Sequence, residues 1–380
     1  MHVLYLNYQL DRDLQSADML LQRYSTMTEW CIALKREGVE RVSIVQAFHN
    51  DQIHQRAGVE FHFVRAGIFP SVPAWMTPGR IHAKVCGLSP DVVHHSGHVY
   101  PLSHLRSTIG PATALLWQHR GGNPSSFPGM LLKRRGFLSV DGFLFSAKEC
   151  ASSWGDRGII RNHQQIYEIM GGSSTCTPIE TEQAKRELGL SGALVFLWVG
   201  RLNSNKDPLT VIRGFALAVK TLPDAHLFMI YQDSQLLSAV HGAIRDLHLD
   251  ANVHLLGRIT GSEIVRYYRA ADFFLLGSHQ EATGFAVLEA MACGVVPIVT
   301  DIPSFRRMTA NGTIGSLWQP GKVSSLVSAI QNALEKKTMR SSVRKYFLDH
   351  WSFGALARQA IRVYDDAYRR RNPLPGMKAP

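Results

Sequence analysis

The sequence predicts an α/β protein built from two Rossmann-like domains, each a parallel sheet with helices on its faces. Three observations carry this. The chain has 380 residues, more than the roughly 250–300 at which a single hydrophobic core stops growing. Short apolar runs alternate with helical periodicities along most of the chain, the pattern of β–α–β units. The alternation pauses at the small, polar stretch Gly171-Gly172-Ser173-Ser174-Thr175 and restarts at Ala193, so the domains read as 1–172 and 173–350.

In the first half, His2–Leu6 reads as a buried strand. Apolar positions at helical spacing (Met19, Leu20, Tyr24, Met27, Trp30, Cys31, Leu34) predict one helix from about Ser16 to Glu37, stopped by Gly38. Strands follow at Val42–Val45, Val59–Val64, Pro90–His95, Ala114–His119 and Gly142–Ser146, with a helix over His104–Ile109. In the second half a helix at Glu180–Leu188 leads into the strand Ala193–Gly200. Further strands read at Ala225–Tyr231, Val253–Gly257, Phe273–Leu276 and Val295–Thr300, with helices at Asp207–Thr221 and Ser262–Ala270 between them. The segment Trp351–Arg371 carries Phe353, Leu356, Ala360, Ile361 and Tyr364 on one helical face. That pattern favours packing on the protein over insertion into a membrane, and the tail Asn372–Pro380 reads as disordered.

Composition narrows the class. Apolar residues make up 45% and charged residues 19%, which excludes long disorder and a coiled-coil rod. No apolar run reaches the roughly 18–20 residues of a membrane span, and the start MHVLYLNYQLDRD turns acidic too soon for a secretory signal. The five cysteines (Cys31, Cys86, Cys150, Cys176, Cys293) form no CxxC. Neither a disulfide frame nor a zinc site is indicated, and a cytoplasmic location is expected. The net charge is +11, compatible with nucleic acid, an anionic membrane or phosphorylated small molecules. Much of the excess is C-terminal: residues 336–380 hold 11 Lys/Arg against 3 Asp. No interleaved aromatic and basic pattern accompanies it, so nucleic acid is not an expected partner.

Three stretches carry the chemistry. The first is Glu281-Ala-Thr-Gly284-Phe-Ala-Val-Leu-Glu289, a loop and helix after the strand that ends near Leu276. A helix N-terminus favours an anion. Glu281 sits in the loop, and Glu289 leans back toward the helix start, so both can meet one ligand. The competing reading of Glu289 as a solvated helix residue fits poorly with a helix between two very apolar strands. The second is Gly200-Arg201-Leu202-Asn203-Ser204-Asn205-Lys206-Asp207-Pro208, where a planar cationic fork and a mobile ammonium share one loop, a pairing suited to a diphosphate. The third is Trp117-Gln118-His119-Arg120-Gly121-Gly122-Asn123. His119 is one of 17 histidines, and only its place at a strand's carboxyl end singles it out. G-x-G-x-x-G after a first strand, G-x-S-x-G and H-E-x-x-H are all missing from the sequence, so hydride transfer, a serine elbow and a zincin helix have no support.

Together these stretches resemble the family 4 retaining glycosyltransferases of the GT-B fold. The E-x7-E spacing runs from Glu281 to Glu289, the continuation EAMACGVVPIVT is similar to the family's, and Gly200-Arg201-Leu202 with Lys206-Asp207 resembles its cationic loop. Val253–Arg258 resembles the segment beside the nucleotide base, and Ile169–Gly172 the inter-domain linker. The resemblance implies two domains facing a central cleft, with the C-terminal helix at about 351–371 packed back on the first.

It also implies transfer of a sugar from a nucleotide diphosphate sugar, UDP- or GDP-linked, with retention, no cofactor and no metal. Arg201 and Lys206 would hold the diphosphate, and Glu289 the ribose. Glu281 would hold sugar hydroxyls, and Thr283, Gly284 and Phe285 would offer backbone N–H groups. Arg258 would lie near the base, and His119 beside the sugar on the acceptor side. The acceptor is left open between a glycan, a lipid-linked molecule and a small molecule. The basic C-terminal region suggests peripheral contact with an anionic membrane on its inner face. Two departures bear on specificity: Asn7-Tyr8-Gln9 stands where the family often has a glycine pair, and Glu281-Ala282-Thr283-Gly284 replaces E-G-F-G. The other readings are a nucleotide-sugar epimerase of similar two-domain fold, and a non-enzymatic carbohydrate- or nucleotide-binding protein.

Overall fold

The computed structural model describes residues 1–65, 78–97, 102–122, 124, 134, 136–161, 164–190, 192–232 and 234–373. Two compact units result: Met1–Gly172 with Phe353–Pro380, and Ser173–Ser352.

Among the described residues the first unit holds eight strands: β1 (His2–Asn7), β2 (Arg41–Phe48), β3 (Gln52–Arg56), β4 (Val59–Arg65), β5 (Val92–Ser96), β6 (Ala114–Gln118), β7 (Gly142–Phe145) and β8 (Gln165–Glu168). They lie in the order β3-β4-β2-β1-β5-β6-β7-β8. Every pairing is parallel except β3 with β4. That hairpin turns on Ala57 (φ 50°) and Gly58 (φ 78°), a two-residue loop with both φ positive, whose twist suits the flanking strands. The sequence reading missed β3 because Gln-Ile-His-Gln-Arg is polar and its one large apolar residue, Ile53, is 61% exposed. It also missed β8 and the helix Gly79–Leu88.

The single helix expected over 16–37 is two. Ser16 caps Ala17–Arg23 through its side chain, and Ser25–Arg36 follows. The break falls at Tyr24, whose φ/ψ of −101/40° is not helical and whose hydroxyl donates to Asp11 Oδ2 at 3.1 Å. The helix Phe353–Arg371 packs on this unit. His94 Nδ1 lies 2.7 Å from the Tyr364 hydroxyl, and Tyr167 donates to Asp366 at 2.5 Å. Residues 374–380 of the tail, and Asn123, lie outside the described residues.

The second unit holds six strands: β9 (Leu194–Gly200), β10 (Ala225–Tyr231), β11 (Val253–Gly257), β12 (Phe273–Leu276), β13 (Val296–Thr300) and β14 (Ser316–Trp318). Their order is β11-β10-β9-β12-β13-β14 and all pairings are parallel. Counted within the unit this is 3-2-1-4-5-6, the doubly wound arrangement. The continuous apolar runs of β9, β12 and β13 follow from burial on both faces. The strand order reverses between β9 and β12, so the loops leaving those two strands diverge to opposite sides and leave a crevice at their carboxyl ends.

Among the described residues, no helix is long and apolar enough to cross a membrane.

Candidate active site

The crevice between β9 and β12 is where the two strongest sequence motifs meet. The loop after β9 is fixed first by its own chemistry. Asp207 sits in the left-handed region (φ 42°), and its carboxylate accepts the Thr210 N–H at 3.2 Å, capping the helix Pro208–Val219 with Pro208 in its first turn. The loop after β12 begins at Gly277. A Cβ there would lie 3.0 Å from the Lys206 carbonyl oxygen and 3.1 Å from that of Asp207, so only glycine lets the two backbones approach this closely.

Asn205 then joins the loops at three points. Its Nδ2 donates to Gln280 O at 3.1 Å, its Oδ1 accepts the Gln280 N–H at 3.0 Å, and its carbonyl accepts the His279 N–H at 2.8 Å. His279 Nε2 lies 3.2 Å from Asp207 Oδ2.

On this frame the Lys206 ammonium forms an ion pair with Glu281 Oε1. Both side chains are largely buried, 15% and 14% exposed. The Ser278 hydroxyl donates to the same Glu281 oxygen at 2.8 Å. Beyond Glu281, Thr283 is buried and Gly284 takes the left-handed region (φ 63°) as it opens the helix Phe285–Ala292. A Cβ on Gly284 would lie 2.7 Å from Phe305 Cε1. No side chain caps this helix, which leaves its first N–H groups to meet an anion. Phe285 itself is 38% exposed.

Glu289, one turn into that helix, accepts a hydrogen bond from the Tyr268 hydroxyl at 2.6 Å. Burial pushes the Glu289 carboxyl above the usual carboxylate range, and the Tyr268 bond works against that rise. Tyr268 is wholly buried, and burial beside Glu289 holds its phenol well above its ordinary value. The carboxyl is therefore held by the protein rather than solvated.

Lys206, Glu281, Thr283, Gly284 and Phe285 are thus gathered at one strand-order reversal, with Glu289 a turn further along the same helix. Arg201 leaves β9 beside them, exposed and without an ion pair among the described residues. Arg258 is also exposed, but it follows β11, the outermost strand, two strands from β9.

His119 belongs to the first unit. It follows β6 and is 7% exposed, with its ring stacked on Phe145 at 4.8 Å and edge-on to Trp154 at 5.7 Å. Its Nε2 lies 3.1 Å from Gly122 O, so Nε2 carries the proton, and Nδ1 has no partner among the described residues. Burial lowers its pKa, which leaves the ring neutral at pH 7. Sequence reasoning missed Ser278, Asn205, Gly277 and Tyr268. Asn205 lies inside the second quoted stretch, and Gly277 and Ser278 fall between Leu276 and Glu281; nothing in the sequence distinguishes Tyr268 from Tyr267.

Residues 180–348, which contain this crevice, match the family model of the glycosyl transferases group 1. The similarity covers most of the second unit. A D-inositol 3-phosphate glycosyltransferase of Corynebacterium aurimucosum is 28% identical over 196 residues, 49% of this chain and 47% of the relative. The chain therefore spans about half the length of that relative. Among solved structures, a sucrose-phosphate synthase of Thermosynechococcus elongatus superposes with a TM-score of 0.71 at 16% identity, covering 97% of this chain and 99% of that one. HepE of Anabaena, solved in complex with UDP, gives a TM-score of 0.65 at 16% identity, covering 96% and 100%. The fold is GT-B.

Proposed function

We propose that this protein transfers a sugar, with retention, from a nucleotide diphosphate sugar to an acceptor, and that its own cations replace a metal at the diphosphate. The observation that carries the reading is the Lys206–Glu281 pair at the reversal point of a 3-2-1-4-5-6 sheet, in front of an uncapped helix N-terminus.

Breaking the glycosidic bond leaves negative charge on the diphosphate, and a preformed array of donors lowers that barrier. Lys206 and Arg201 supply positive charge from one loop. The N–H groups of Thr283, Gly284 and Phe285 supply fixed dipoles from the other. Glu281, anchored by Ser278 and Lys206, holds sugar hydroxyls near the reacting carbon. Glu289, anchored by Tyr268, takes the ribose hydroxyls, and Arg258 lies toward the base. His119, neutral and with an Nδ1 lone pair that no described residue takes up, accepts a hydrogen bond from the sugar or the acceptor. That HepE was solved with UDP favours a uridine donor over a guanosine one.

The acceptor meets the enzyme at an anionic membrane, on the cytoplasmic face. This rests on the helix Phe353–Arg371, whose Arg358, Arg362, Arg369, Arg370 and Arg371 are exposed. Not all of the C-terminal charge is available for this. Lys336 donates to the Gly312 and Gly315 carbonyls, Arg340 to those of Ala271 and Cys293, and Arg344 to those of Cys176 and Ala292. These three cations hold the second unit together.

A thermal-shift screen with UDP, GDP and ADP, followed by slow hydrolysis of the matching nucleotide sugars with and without a chelator, tests the donor and the metal. Stabilisation by one nucleoside diphosphate and chelator-resistant hydrolysis are expected. No shift with any of the three, or loss of hydrolysis with chelator, overturns the corresponding part. Binding to anionic but not neutral vesicles, weakened by salt, tests the membrane contact.

A further inference from the structure

Two of the five cysteines, distant in sequence, meet in the second unit. Cys176 lies in the extended segment that opens the unit. Cys293 closes the helix Phe285–Ala292, its N–H reaching the carbonyls of Glu289 at 3.2 Å and Ala290 at 3.0 Å. The segment is laid across that helix end by several contacts. Arg344 Nη1 donates to the carbonyl of Cys176 at 3.2 Å and to that of Ala292. Arg269 grips Thr177 through its carbonyl at 2.8 Å and its hydroxyl at 3.2 Å. The Cys293 thiol lies 3.9 Å from the Thr177 carbonyl oxygen. Residues 176 and 293 are thus brought side by side.

The pair is asymmetric. Cys293 is 1% exposed, whereas Cys176 is half-buried and reachable from solvent. The neighbouring Cys293 thiol lowers the Cys176 thiol to about 7, with Ser174 and Arg269 acting in the same direction against burial. Cys293 is pushed up by its Cys176 neighbour and by burial. An accessible, acidic thiol beside a buried partner is the arrangement of an oxidation-sensing pair. Arg269, which grips Thr177, favours the Cys176 thiolate, while Arg344 holds the helix-end carbonyl of Ala292.

We propose that Cys176 and Cys293 form a reversible oxidation site whose substrate is hydrogen peroxide. The Cys176 thiolate attacks one peroxide oxygen, the O–O bond breaks, and the departing hydroxide takes up a proton to become water. The sulfenic acid left on Cys176 is then attacked by the Cys293 sulfur. The S–O bond breaks, the S–S bond forms, and a second water leaves. Two thiols are oxidised and one peroxide is reduced. The disulfide ties residue 176 to the turn that ends the Glu289 helix, and a dithiol releases it.

The test uses the reduced full chain and peroxide near neutral pH, with thiols counted by alkylation after denaturation and peptides mapped by mass. Five alkylated cysteines before treatment fall to three after it, a Cys176–Cys293 linked peptide appears, and dithiothreitol restores five. Cys86, which is exposed, stays alkylated and serves as the internal control. Cys176→Ser slows thiol loss by about tenfold or more, and Cys293→Ser leaves Cys176 at the sulfenic or sulfinic stage. Oxidation of Cys86 as fast as Cys176, or Cys176 passing to sulfinic acid in the unmodified protein without a linked peptide, overturns the proposal. So does survival of all five thiols. Unchanged melting temperatures of the reduced variants show that the comparison is between folded proteins.

Discussion

Lys206 and Glu281 come from loops 75 residues apart, yet their side chains form an ion pair at the one place in the second sheet where the strand order reverses. Each is tied down independently. The Lys206 N–H donates to Asn203 Oδ1 at 3.1 Å, and Glu281 accepts from Ser278 at 2.8 Å. A pair held from both sides is pre-organised, and pre-organised charge is what a leaving diphosphate needs. Lys206→Ala is expected to abolish the thermal shift given by the cognate nucleoside diphosphate. Glu281→Gln keeps the shape and the Ser278 contact. It is expected to lower turnover about a hundredfold, the scale of one lost oriented group, while the nucleotide shift survives. Loss of both functions together in Glu281→Gln would place the carboxylate in nucleotide binding instead.

Gly277 sets the distance between those loops. With a Cβ there 3.0 and 3.1 Å from two backbone carbonyl oxygens, Gly277→Ala must displace the Lys206–Asp207 backbone by a few tenths of an ångström. The stability cost of such overpacking is about 1–3 kcal/mol. The catalytic cost is expected to exceed it, because misplacing Lys206 acts directly on the reacting group. Chemical denaturation beside steady-state kinetics separates the two. Equal effects on both would show that the glycine matters for folding alone.

The parts of this arrangement were unequally legible in the sequence. β9, β12 and β13 are continuous apolar runs because both faces are covered, and such runs stand out without any structure. Pro208 and Gly284 mark helix starts by their own backbone chemistry. β3 escaped because an edge strand needs little apolar content, and its turn presents Ala57 where glycine, asparagine or aspartate is the usual signal. The break at Tyr24 escaped because both halves of the helix keep the same apolar face. Tyr268 escaped for a different reason: which side of a helix faces a carboxylate depends on the helix's placement against its neighbour, which periodicity does not encode. The C-terminal charge was legible as a number but not as a division between carbonyl-bound Lys336, Arg340 and Arg344 and the exposed arginines of the last helix.

Tyr268 is the second support of the site. Its hydroxyl gives Glu289 its hydrogen bond at 2.6 Å from within the core. Tyr268→Phe removes the donor and keeps the ring, so a half-buried carboxyl loses its partner at a cost of about 1 kcal/mol. Its pKa rises further, because the bond that opposed burial is gone. Affinity for the nucleoside diphosphate is expected to fall by about tenfold, and the fall should shrink as pH rises and Glu289 ionises. Calorimetric titration at several pH values checks this. A pH-independent loss would show that Tyr268 acts by packing alone.

Acid sensitivity is expected from the first unit. His82 is 1% exposed; its Nε2 lies 2.7 Å from the Tyr8 hydroxyl and its Nδ1 3.1 Å from His104 Nδ1. Burial first, and then the nearby His104 and His95, lower its pKa from 6.5 to about 4. Between those two values the unfolded chain binds a proton that the folded one refuses, so stability falls as pH drops through this window and the loss levels off below it. For one histidine shifted this far the total is on the order of 3 kcal/mol. His94, His119 and His62 are lowered by burial as well and add to the same slope. His82→Gln keeps a polar partner for Tyr8 and removes one titrating group. Urea unfolding from pH 7 to pH 4 should show a shallower loss for this variant, by up to one proton in the slope. An unchanged slope would mean that His82 takes up its proton in the folded protein as readily as in the unfolded one.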